Sequence, residues 1–364
     1  MPLDPVQVAK SFRWFADHEC ADEPLYEAVT RLVAEQPGWL DLLADTPAEQ
    51  QRPNLWLAAV HDLLLSGVAH PLSGYYASLG GTQAPDEALF ACLAGFVAQH
   101  GAALHERMSS GSTQTNEIGR CAVLWPALQA IARRSGQPRL ALLDLGCSAG
   151  LNLGVDDYRY DYGDGTEALA GVPVLPCRVI GPRRPPQAEV RIVQREGIDP
   201  APVSVNDALA VRWLRACLWP SNVARIRRFD QAIALAQRSA WPVRREADCT
   251  AAVARWLDEL PGDVQPVVVN SWVLTYFERP ALQRHIETMT ALVRERGLMW
   301  LSAEGPELRI GPVDAPPPFE EGAQARRGSL WTLCHRTEGE PRFELLARSH
   351  GHGRWMEWLD TAAG

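Results

Sequence analysis

Lysine is nearly missing from this chain. Of the 35 basic residues only Lys10 is lysine, a bias read as that of a GC-rich genome and given no functional meaning. A net charge of −9 over 364 residues leaves no positive field to draw in a polynucleotide or an acidic membrane surface. Metal-binding cysteine spacing is lacking too: the eight cysteines, from Cys20 to Cys334, contain no C-x-x-C and several sit inside apolar runs. That pattern suits reduced core residues of a cytoplasmic protein and not a disulfide framework. The longest apolar stretch, 55–72, is broken by His61, Asp62, Gly67 and Pro71, so it cannot span a bilayer. MPLDPVQVAKSFRWFADHE likewise has no apolar segment of the export type. The expectation is a cytoplasmic globular protein with a small-molecule substrate, no nucleic-acid partner and no membrane partner.

What is present divides the chain in two. Residues 1–138 read as a helical domain. In PLYEAVTRLVAE the apolar Leu25, Val29, Leu32 and Val33 recur at helical spacing behind Pro24, and in DEALFACLAGFVAQH Asp86 precedes a face of Leu89, Phe90, Leu93 and Val97. From 139 to 364 strands and helices alternate, the pattern of a parallel sheet covered on both faces. The expected elements are a strand from Leu140, a helix near 149–157, and extended stretches at 172–180 and 188–194 that can pair as a hairpin across PRRPP. Helices follow at 207–218 and 221–237. VRRE is a short strand ending at Asp248, and Thr250 is the expected cap of the next helix. Then come a strand through VVVNS, a helix at 279–296, a strand in GLMWLSAEG, and a closing hairpin of LWTLCHR and RFELLARSH across TEGEP. GPVDAPPPFEEGAQARRGS reads as a surface loop.

The stretch LALLDLGCSAGLNLG, residues 140–154, is the candidate ligand loop: a buried strand ending in Asp144, then Gly146, Ser148 and Gly150 in a tight turn. Three chemistries use such a turn. A dinucleotide fingerprint fails, because Ser148 and Leu151 stand where its second and third glycines belong. A serine-hydrolase nucleophile elbow, G-x-S-x-G, matches Gly146 to Gly150 letter for letter, and downstream histidines exist, although the 139 residues before it contain no HGGG-like oxyanion segment. The third is the first motif of the class I methyltransferases that use S-adenosylmethionine, which Asp144, Gly146, Ser148 and Gly150 resemble. A catalytically silent ligand-binding or scaffold protein on the same fold stays open beside these.

Residues 140–350 resemble a class I methyltransferase strand by strand. The resemblance implies a doubly wound, Rossmann-like α/β sheet, mostly parallel with a closing antiparallel hairpin, preceded by the α-helical domain, and S-adenosylmethionine as cofactor. It places Asp144, Gly146, Ser148 and Gly150 at the cofactor, Asp199 at the ribose, Asp248 at the adenine and Asn270 at the loop after the fourth strand. Ser148 departs from the usual glycine, and Asp199 before Pro200 also reads as a turn residue. The whole chain, through TQTNEIGRCAVLWPAL, SAGLNL, DDYRYDYG, REGIDPAPV and HGHGRWMEWL, also resembles an uncharacterised bacterial domain-of-unknown-function family, which brings no activity with it.

Thr115, Asn116, Glu117 and Arg120 precede the helix that feeds the central strand, so they can reach the sheet edge where ligands bind or simply cap that helix. Asn270, Glu117 and Arg120 are the candidate catalytic residues. Ser271 and Trp272 occupy the places of the prolines in the D/N-P-P-Y/F motif of nucleobase amino-methylating enzymes, which argues against a base-flipping enzyme. Glu304 after the fifth strand is either a site residue or a strand end. Tyr158, Tyr160 and Tyr162 either line an acceptor pocket or cover the sheet edge. His350 and His352 suggest metal, yet no third ligand is near in sequence, and no metal is assigned.

Overall fold

A computed structural model describes residues 4–114, 116–166, 169–313 and 328–360. The chain forms two compact units, one of residues 1–115 with 206–230, the other of 116–205 with 231–364. The last helix before β1 therefore falls in the second unit, and a stretch from beyond 200 returns to the first.

The first unit is helical: α1 (Pro5–His18), α2 (Pro24–Ala34), α3 (Pro37–Leu40), α4 (Pro53–Leu65) and α5 (Leu89–Ser110), joined later by 208–216. The first four each carry a proline in the first turn, where its missing N–H is not needed. Asp4 caps α1 by accepting from Val6 N and Gln7 N at 3.0 and 3.2 Å. Of the face expected in 86–100, Leu89, Leu93 and Val97 are buried, while Phe90 lies outside the core and stacks on Trp39. Helix α4 is buried on nearly every side, polar residues included. Its Asp62 binds Arg107 at 2.8 Å and Arg212 at 2.7 Å, and burial pushes His61 down to about 4, so it stays neutral between the Ala216 carbonyl and Ser78 Oγ.

In the second unit α6 (Cys121–Ser135) leads into β1 (Arg139–Leu145), followed by β2 (Arg159–Asp161), β3 (Val174–Pro176), β4 (Arg178–Ile180) and β5 (Arg191–Asp199). After α7 (Ala208–Ala216), which belongs to the first unit, the chain enters the second unit again within α8 (Val223–Ser239). It continues through β6 (Val243–Arg245), α9 (Cys249–Asp258), β7 (Gln265–Ser271), α10 (Arg279–Arg296), β8 (Met299–Glu304), β9 (Gly328–Thr337), β10 (Glu340–His350) and β11 (Trp355–Trp358). The result is an α/β protein with a nine-stranded, mostly parallel mixed sheet in the order β4-β11-β10-β9-β8-β7-β1-β5-β6. Strands β6, β5, β1, β7 and β8 are parallel, and β9 and β10 form the antiparallel closing hairpin. Strand β1 is buried from Leu140 to Leu145 and β7 from Val267 to Asn270, as continuous apolar runs in a two-sided parallel sheet require. The order turns at β1: the chain builds outward to β5 and β6, then returns to lay β7 on the opposite flank.

Three expectations fail. The helix near 149–157 is only a four-residue 3-10 turn, Leu151–Gly154, because Gly150 stands in left-handed backbone (φ 68°) inside the expected helix. The stretches at 172–180 and 188–194 do not pair as a hairpin: β4 joins β11 and β5 joins β1, both parallel. Helix α9 is capped not by Thr250 but by Asp248, whose carboxylate accepts from Ala251 N. Most of the Pro-rich loop lies outside the described residues, as does Thr115. Among the described residues no helix is long and apolar enough to cross a membrane.

Candidate functional site

The C-terminal ends of β1, β5 and β7 carry most of the residues expected at a ligand site. Beyond Asp144 the chain turns through left-handed backbone at Gly146 (φ 74°), Ser148 (φ 52°) and Gly150 (φ 68°). The glycines are demanded by the protein itself: a Cβ on Gly146 would lie 2.5 Å from Val273 Cγ2, and one on Gly150 would lie 2.5 Å from Val243 Cγ2. The expectation that they open the backbone to a ligand gives way to tight packing against β6 and the loop after β7.

Every backbone N–H of the turn has an acceptor within the chain. Gly146 N and Cys147 N donate to the Ile198 carbonyl, Ser148 N to Asp199 Oδ2 at 2.8 Å, Ala149 N to Asn116 Oδ1 at 3.2 Å, and Gly150 N to the Cys147 carbonyl. A phosphate cradle works by offering such N–H groups to an anion, and this turn has already bonded its own. Asn116 also donates from Nδ2 to Ser148 Oγ at 3.1 Å, so one side chain fixes both the backbone and the hydroxyl of the turn.

Asp199 stands half-buried at the end of β5 and braces two loops, with Oδ2 on Ser148 N and Oδ1 on Ala201 N at 2.8 Å. These bonds make it a turn residue, and a carboxylate has lone pairs beyond the two they use. Asp144, 3% exposed, is different. Its Oδ2 has no hydrogen-bond partner among the described residues, and burial pushes its carboxyl up to about 7 despite a hydrogen bond from Asn152 and the attraction of Arg120.

Across β7 lies a second set. Asn270, fully buried, donates from Nδ2 to Ser302 Oγ and Glu304 Oε1 and accepts at Oδ1 from the Trp300 indole at 2.7 Å. It is a strut between strands, with its amide groups directed at protein partners. Glu304, 1% exposed, takes three donors on Oε1: Asn270 Nδ2 at 2.8 Å, Val273 N at 3.0 Å and Leu274 N at 3.1 Å. Its Oε2 has no partner among the described residues, and burial raises its pKa. The residues expected to open a helix instead form a 3-10 turn, Ile118–Arg120, capped by Glu117 Oε1 on Gly119 N. Arg120 is buried and reaches across the edge, with Nε on the Gly351 carbonyl at 2.9 Å, Nη1 on Ser271 O and Oγ, and its guanidinium 5.9 Å from the centre of the Trp272 ring.

The structure thus brings Asn116, Glu117, Arg120, Asp144, Gly146, Ser148, Gly150 and Asp199 to one edge. Asp248 is exposed and occupied with capping α9, and Asn270 is committed below the edge. Tyr158, Tyr160 and Tyr162 donate their hydroxyls to the carbonyls of Leu151, Val155 and Ala122 and cover structure. His350 Nδ1 accepts from His352 N, which makes the glycine-flanked pair a local turn. Glu304 was only weakly marked in the sequence; the signal available was a carboxylate ending an apolar strand with no helix start behind it to cap.

A family model described as "Uncharacterized protein conserved in bacteria (DUF2332)" matches residues 9–358. No curated protein matches the chain.

Proposed function

We propose that this chain, which belongs to that conserved bacterial family, binds S-adenosylmethionine at the C-terminal edge of β1, β5 and β7 and transfers the methyl group to a small-molecule acceptor. The carrying observation is the Asp144 carboxylate, buried and with Oδ2 unpartnered among the described residues, at the end of the central strand where the sheet order turns. Open α/β sheets bind ligands at that place. A buried carboxylate oxygen there favours a cationic group, such as the ammonium of an aminoacyl moiety, over an anion.

The turn supports the same choice. With its N–H groups bonded internally it suits a ligand without phosphates, which separates S-adenosylmethionine from NAD and ATP. Asp199 retains acceptor capacity for a ribose hydroxyl while bracing the turn. The strand order β6-β5-β1-β7-β8 supports the methyltransferase resemblance over residues 140–304. When bound, the cofactor supplies a methyl group already activated by its sulfonium; the chain's part is to position it and exclude water. The net charge of −9 favours a small acceptor over a polynucleotide.

Thermal unfolding with S-adenosylmethionine, S-adenosylhomocysteine, NAD and ATP tests the proposal. Either adenosyl ligand at a hundred times its dissociation constant adds about 2.7 kcal/mol, and NAD adds nothing. No shift with millimolar adenosyl ligand refutes it. One observation favours a second reading: the left-handed backbone of Ser148 is the strained conformation a nucleophile elbow uses. The short 3-10 turn behind it and the Asn116 amide on its hydroxyl weigh against an elbow. Labelling of Ser148 by a fluorophosphonate decides for the hydrolase.

A further inference from the structure

We propose that the edge next to β8 holds the amine of the methyl acceptor at Glu304: the ammonium docks on Oε2 and passes it a proton, and the freed nitrogen lone pair takes the methyl group as the sulfonium's S–C bond breaks and S-adenosylhomocysteine leaves. The inference rests on the cofactor reading above and goes beyond it by naming the acceptor's chemistry.

The geometry comes first. Strands β1 and β8 flank β7, with Asp144 paired to Val269 and Val269 to Leu301, so Glu304 stands three residues further along β8 and shares the sheet face of Asn270 and Ser302, opposite to that of Asp144. Glu304 is a fixed group: three donors at 2.8 to 3.1 Å hold Oε1 and set the plane of the carboxylate. The opposite oxygen, in a residue 1% exposed, has no partner among the described residues. A carboxylate oriented by one oxygen and unsatisfied at the other is a directional acceptor. Leaving a charged group's oxygen without a donor in low dielectric is far costlier than leaving it in water.

The local charge points the same way. Asp144 and Glu304 both feel the attraction of the buried Arg120 guanidinium, and Glu117, three residues before Arg120, is buried as well. Arg120 directs hydrogen bonds to the Gly351 carbonyl and to Ser271, and Glu117 Oε2 has His352 Nδ1 at 3.9 Å. Asp199, half-buried at the end of β5, adds negative charge to the same rim. An acidic acceptor would enter against this balance, whereas an ammonium is attracted and donates directly to Oε2.

The test uses two ligands of the intact chain: S-adenosylhomocysteine, and its analogue sinefungin, which carries a primary amine where the transferred methyl group would sit. Calorimetric titration of the wild type is expected to give sinefungin an advantage of about tenfold or more, equal to about 1.4 kcal/mol. Glu304→Gln keeps an oxygen for the three donors and removes the charge. It is expected not to lower the melting temperature, to leave S-adenosylhomocysteine affinity unchanged and to reduce the sinefungin advantage below about threefold. Glu304→Asp, which keeps the charge but retracts it, is expected to fall between and serves if the glutamine variant does not fold. Equal affinity of the wild type for the two ligands overturns the inference, as does an advantage that survives Glu304→Gln. If neither ligand binds the wild type, the cofactor reading itself fails and takes this inference with it.

Discussion

Replacing Asp144 by asparagine is expected to stabilise the free protein at alkaline pH. Its carboxyl ionises near 7 in the folded chain, against an ordinary 3.8, and burial is the main cause. Between those values the native state holds a proton that the unfolded chain has released, so stability falls as pH rises. The contribution is fully present below the unfolded value and is lost once pH passes the folded one. Each pH unit of that window costs about 1.4 kcal/mol, so the charged aspartate costs about 4 kcal/mol at pH 8 as an upper bound. Asparagine has nearly the same shape and no proton to lose. Urea unfolding midpoints of wild type and Asp144→Asn, measured from pH 4 to 8, are expected to nearly coincide at the acid end and to diverge in favour of the variant towards pH 8. Saturating S-adenosylhomocysteine is expected to flatten the wild-type trend, because its ammonium favours the ionised carboxylate, and to protect the variant less. Parallel curves for the two proteins across that range refute the reasoning.

Gly146→Ala places a methyl group against Val273 in a left-handed turn and is expected to cost roughly 1–3 kcal/mol from overpacking alone. Val273→Ala is expected to recover part of that loss in a double-mutant cycle of unfolding energies, and strict additivity contradicts the contact. Asp199→Ala removes the acceptor of two backbone N–H groups, so stability is expected to drop by about 1.5–3 kcal/mol together with ligand affinity; weaker binding at unchanged stability would show that it does not brace the turn. Ser148→Ala loses one hydrogen bond with Asn116, expected to cost about 0.5–1.5 kcal/mol while leaving ligand binding measurable by calorimetry. In the first unit, Asp62→Ala strands the part-buried partners Arg107 and Arg212 and is expected to cost about 1.5–3 kcal/mol in denaturant unfolding, and a loss under about 0.5 kcal/mol shows that the pair network is not what ties α7 to α4.

Elements set by local patterns are legible in the sequence alone. Helix α10 spans Arg279–Arg296, the interval its spacing indicated, because a proline start, a periodic apolar face and a glycine end all lie within its own sequence. Strands β7 and β8 and the closing hairpin are similarly self-announcing. What failed depends on distant partners. PRRPP looks like a hairpin turn, yet β4 pairs with Trp355–Glu357 near the other end of the chain, and no local rule carries that information. The expected helix over 149–157 is cut short at Gly150, which holds left-handed backbone and packs against Val243 from far along the sequence.

The site divides along the same line. A strand ending in Asp144 and a turn of Gly146, Ser148 and Gly150 could be located from spacing, but the reason for the glycines could not. They make room for Val273 and Val243 and not directly for a ligand. Asp199 and Asp248 were both acidic residues at strand ends, with equal claims in sequence. Folding gives one to the central turn and the other to an exposed helix cap. Glu304 shows the converse: a strand-end carboxylate in sequence, it has three donors on one oxygen and, among the described residues, none on the other. Sequence identifies which residues can accept a hydrogen bond, whereas function at a buried edge depends on which acceptors the fold leaves unsatisfied. Asp144 and Glu304 both meet that condition, on the strands that flank β7, and the proposal of a cationic ligand group at each rests on it.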